Sequence, residues 1–88
     1  MPDEAQIHLS PNEAIVLFEL LSRWTEDGQA ATPDSDCFES SAECAVLQTV
    51  LGCLEKQLVA PLRSDYAQTI EQARLRLADD WNGSTLRG

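Results

Sequence analysis

Residues 10–28 read SPNEAIVLFELLSRWTEDG, and both ends of this run carry helix signals. Ser10 is placed to cap free backbone amides, Pro11 suits the first helical position and Glu13 completes a capping box; Gly28 is placed to close the C-terminus. A first helix is therefore predicted over about residues 11–27. At about 100° per residue, Ala14, Val16, Leu17, Phe18, Leu20, Leu21 and Trp24 share one broad apolar face, while Glu19, Ser22, Arg23 and Glu26 share a polar one. Ile15 breaks the pattern. It is read here as an apolar side chain exposed on the polar face beside Glu19 and Glu26, and so as a candidate contact residue.

Downstream, SSAE repeats the capping logic with Ser40 and Glu43, and a second helix is predicted over about residues 41–59. Val46, Leu47, Val50, Leu51, Leu54 and Leu58 fall on one half of it, which marks it as the central core helix. Pro61 disfavours helical geometry at Ala60 and ends the run. Asp65 or Ser64 can cap a third helix, over about residues 65–80, whose stripe is Tyr66, Ile70, Ala73, Leu77 and Trp81. The short APLRS connection predicts that helices two and three are antiparallel neighbours. Arg74 is expected to pair with Glu71 and Arg76 with Asp80, at about 0.3–0.5 kcal/mol each. The expectation is a small all-α, three-helix domain, with an extended arm at residues 1–9 and a frayed tail at 82–88.

Charge narrows the function. Six basic against fifteen acidic side chains leave a net charge of −9, which repels phosphates and anionic headgroups and attracts basic proteins. Nucleic acid and membrane surfaces are not expected partners. The N-terminal MPDEAQIHLS has acids where a secretory leader has basic residues, so a cytoplasmic protein is expected, and no apolar run is long enough to cross a bilayer. Cys37, Cys44 and Cys53 are odd in number and are read as free thiols.

No motif for catalysis or a cofactor stands out. An EF-hand frame started at Asp34 puts Glu39 at the required glycine and Ala45 at the twelfth position, so it fails; Asp34, Asp36 and Glu39 could form only a looser cation site. Zinc lacks a CxxC pair, and His8 is the one histidine. A lone histidine in an extended arm gives no triad, and the scattered glycines give no phosphate loop. We expect no enzyme, metal or cofactor.

The unusual feature is EDGQAATPDSDCFESSAEC, residues 26–44, with six acids and no base. Glu39 and Glu43 suit the start of helix two, where the helix dipole favours anions, but Glu26 and Asp27 stand at the end of helix one, where it does not. Charge placed against its own helix is better explained by recognition. The candidate partner-binding set is Glu26, Asp27, Asp34, Asp36, Phe38, Glu39, Glu43 and Ile15, with the carboxylates steering a basic protein and Phe38 and Ile15 holding it. In length, charge and helical build the chain is similar to the bacterial immunity proteins and antitoxins that block nuclease toxins. That likeness implies an inhibitor whose carboxylates stand in for phosphates in a basic active site. The alternative is a homo-oligomeric scaffold or regulatory adaptor, in the simplest case a homodimer. It draws on the width of helix one's apolar face and on the small residues Ala45, Thr49 and Gly52 of helix two.

Overall fold

The computed structural model describes residues 3–88, and the first two residues of the expected arm lie outside them. The fold is all-helical and about 60% helix, with no strand among the described residues. Its helices are α1 (Pro11–Glu26), α2 (Ser41–Gln57) and α3 (Tyr66–Ala78), with short 3-10 turns at Ser35–Cys37 and Ala60–Leu62 between them. Each ends one or two residues inside its expected bounds; the capping residues Asp27 and Leu58 are extended, whereas Asp79 after α3 keeps helical angles.

The start of α1 forms as its residues dictate. The Glu13 amide donates to Ser10 Oγ at 3.1 Å and the Ser10 amide donates to Glu13 Oε1 at 2.9 Å, so two amides that the helix leaves free are satisfied. Its end differs from expectation. Gly28 is not left-handed; instead Asp27 is extended, and its carboxylate accepts from the Gln29 amide at 2.9 Å in an Asx turn. Thr32 Oγ1 then donates to the Trp24 carbonyl at 3.1 Å, capping one of the four open carbonyls.

The middle helix is α1, not α2: α2 and α3 each pack chiefly on α1, so the expected pairing of helices two and three is not the main contact of either. Against α2, Ala14, Leu21, Leu51 and Leu54 are buried, flanked by Leu17, Phe18, Trp24, Leu47, Val50 and Leu58. Against α3, a second cluster joins Ile15, Ile70 and Ala73, with Val16, Ala60 and Tyr66 around it. Ile15 is thus 3% exposed, and the reading of it as a surface contact residue is corrected. The physical reason is angular: Ile15 and Leu21 are six residues apart, which is about 120° around a helix, so α1 buries two faces. Each fully buried aliphatic side chain contributes about 1.5–3 kcal/mol.

Glu19, on this second face, finds its partners on α3. Tyr66 donates its hydroxyl to Glu19 Oε2 at 2.7 Å, and Arg74 lies 3.9 Å from Glu19 and 3.8 Å from Glu71. The Arg74–Glu71 pair is as expected; Arg76 and Asp80 form no ion pair among the described residues. Two apolar positions also differ from expectation. Val46 is 60% exposed on α2, because the half of that helix facing α1 is narrower than its apolar content, and Trp81, beyond the end of α3, is 54% exposed.

Candidate functional site

The loop from residue 27 to 40 joins the C-terminus of α1 to the N-terminus of α2. It is shaped by its own carboxylates. Asp27 forms the Asx turn just described, and Asp34 caps the 3-10 turn by accepting from the Asp36 amide at 3.1 Å. Ser40 caps α2 by accepting from the Ala42 amide at 3.0 Å, while Glu43 Oε1 reaches back to the Glu39 amide, also at 3.0 Å. Glu43 therefore passes over Ser40 and ties down the residue before it, a variant of the expected box.

These bonds divide the candidate set. Asp27, Asp34 and Glu43 each hold a backbone amide, a sufficient local reason for an acid at those positions. Glu26, Asp36 and Glu39 are exposed. Their carboxylates make no hydrogen bond and no ion pair among the described residues. Asp34 and Asp36 are brought together by one bond, Glu39 and Glu43 by another; Ile15 is elsewhere, under α3. Asp34, Asp36 and Glu39 do not gather into a cation ligand set among the described residues.

Phe38 is half-buried and lines a cleft of about 280 Å³ between α1 and α2, with Leu21, Trp24, Pro33 and Leu47 among its walls. It anchors the loop to the helices and leaves part of its ring toward solvent. The three cysteines are free and exposed. Cys44 lines the same cleft, and Cys53 is exposed on α2.

No family model, no curated protein and no solved structure matches the chain. No helix among the described residues is long and apolar enough to cross a membrane.

Among the described residues one titratable group is strongly perturbed, and it lies outside the loop. Burial, then the hydrogen bond to Glu19 and that carboxylate's charge, hold the Tyr66 phenol well above its ordinary range, with Arg74 opposing. The group is a tie between α1 and α3. Sequence reasoning also passed over two residues. Glu55 and Leu62 line a second cleft with Glu26. Glu55 had a signal, since no base falls between Arg23 and Lys56 and Glu55 is the last acid of that interval; Leu62 had none, since a five-residue connection gives no period that would mark a side chain as placed.

Proposed function

We propose that this chain is a cytoplasmic acidic protein-binding domain that acts by occluding a basic partner and not by catalysis. The observation that carries this reading is that Glu26, Asp36 and Glu39 are exposed carboxylates without partners among the described residues, with the half-exposed ring of Phe38 between Asp36 and Glu39 in the chain. Uncompensated surface charge speeds encounter with an opposite surface, and an aromatic residue supplies short-range hold. A basic nuclease toxin is the kind of partner this surface fits, with the carboxylates taking the place of substrate phosphates. Most of the wide face of helix one, on which the oligomeric scaffold reading draws, packs against α2 and α3 within the chain, so the acidic surface is the feature favoured here.

The test uses substitutions that leave the loop's internal hydrogen bonds intact. Asp36→Lys with Glu39→Lys reverses two free charges, whereas changing Asp34 would unmake the turn. Wild type and double variant are compared as bait for host-cell proteins at about 50 and 500 mM salt, spanning weak and strong screening. The reading expects a basic protein held by wild type at low salt, released at high salt and lost by the variant. Equal retention by both baits, or no basic protein on either, would rule it out.

A further inference from the structure

The second cleft lies where the turn Ala60–Leu62 runs beside α1 and the end of α2. It has a volume of about 310 Å³ and is lined by the apolar residues Phe18, Leu58, Pro61 and Leu62 together with Glu26 and Glu55. Three features make it unlike an ordinary surface crease. Leu62 is 87% exposed, so a large apolar side chain stands open beside the walls. No cationic side chain pairs with Glu26 or Glu55 among the described residues, and Lys56 and Arg63, next in sequence to two of the lining residues, do not line the cleft. Both acids also stand in the last turn of their own helices, where open carbonyls already make the potential negative.

We propose that this cleft receives one arginine or lysine side chain of a basic partner protein, its aliphatic stem on Phe18, Leu58, Pro61 and Leu62 and its charge held by Glu26 and Glu55. Long cationic side chains have this two-part character, an apolar stem with a charged head, and the cleft has the complementary one. The occupant's charge also offsets the unfavourable helix-end placement of both acids. A guanidinium suits two separate carboxylates better than an ammonium, since it presents donors in several directions. The inference rests on the reading of the chain as a binder of a basic protein, and it makes Glu26 the residue shared by the loop surface and the cleft.

The experiment titrates the full-length, nitrogen-15-labelled chain with N-acetyl-arginine-N-methylamide and follows backbone amide shifts. The matched citrulline compound serves as the uncharged control, and guanidinium chloride at equal ionic strength as the stemless one. Saturable shifts are expected at Phe18, Glu26, Glu55, Leu58 and Leu62, with binding at least about tenfold weaker for citrulline. Glu26→Gln and Glu55→Gln should each weaken the arginine probe about threefold, the scale of one exposed ion pair, and Leu62→Ser should weaken it while leaving the guanidinium response unchanged. Should a variant not fold, the three probes on wild type decide alone. The proposal is overturned if arginine and guanidinium move the same amides equally, or if the shifts centre on Asp34, Asp36 and Glu39. Asp36→Lys with Glu39→Lys leaves the cleft lining intact, so the two readings separate. Capture lost in the double variant with a normal cleft titration supports both, a flat titration with intact capture removes the cleft alone, and a normal titration without any captured partner removes the loop reading and with it the protein occupant assigned to the cleft.

Discussion

Ile15 and Glu19 are one turn apart on α1, and each turns toward α3 for a different reason: Ile15 to leave water, Glu19 to accept the Tyr66 hydroxyl. Ile15→Val removes one methyl group from a buried cluster and should cost about 0.5–1.5 kcal/mol by urea unfolding, whereas Leu62→Ser, at an exposed position, should stay within about 0.5 kcal/mol. A cost near zero for Ile15→Val would mean that the side chain is not enclosed. Tyr66 is the single tyrosine, so phenolate absorbance reports it alone. Because its folded-state pKa is raised, the folded chain keeps the proton longer than the unfolded one. That stabilisation is complete below the unfolded value near pH 10 and declines as the pH rises above it. In Tyr66→Phe this part of the alkaline loss should be absent; phenolate appearing near pH 10 in the still-folded wild type would count against the Glu19 contact.

The helix ends are where local chemistry and expectation can be separated. Gly28 is placed by the sequence to close α1, yet the Asx turn of Asp27 ends the helix and Gly28 has no positive φ. A methyl group added at Gly28 meets nothing within 4 Å, and the same holds for Gly52 inside α2. Gly28→Ala should therefore be neutral or stabilising, by up to about 1 kcal/mol, where a left-handed cap would lose that much. Gly52→Ala should raise the urea midpoint by the equivalent of about 0.5–1 kcal/mol. Helix existence and the box at Ser10 were legible because capping and a 3.6-residue period are local properties. The partnership of the helices was not. A period shows that α1 has an apolar side but not how many neighbours share it, and Glu19 on the second face disguised that face as a wet one. Leu62 was hidden because its short connection has no period, and a count of charges made Asp27, Asp34 and Glu43 look like one cluster with Glu26, Asp36 and Glu39, although the first three are occupied with their own backbone.

Across the whole molecule, a net charge of −9 on 88 residues opposes compaction by self-repulsion. Raising sodium chloride from about 20 to 300 mM shortens the screening distance severalfold and should lift the melting temperature, by about 4–8 °C for each kcal/mol recovered at this size. A melting temperature that ignores salt would show that the surface charge is dispersed enough to be harmless. The layered order of the helices has a consequence in time. The helix that lies in the middle is made first, and a nascent chain that has completed α1 has two oily sides and nothing to lay on either. The end of α3 is roughly fifty residues further along, which at about 5–20 residues per second is several seconds of synthesis. α2 emerges soon enough to shield one side, but the side bearing Ile15 stays bare until the last helix is out. A ribosome that stalls between them therefore presents a sticky, half-dressed chain, and a stop codon anywhere before α3 leaves that state permanent.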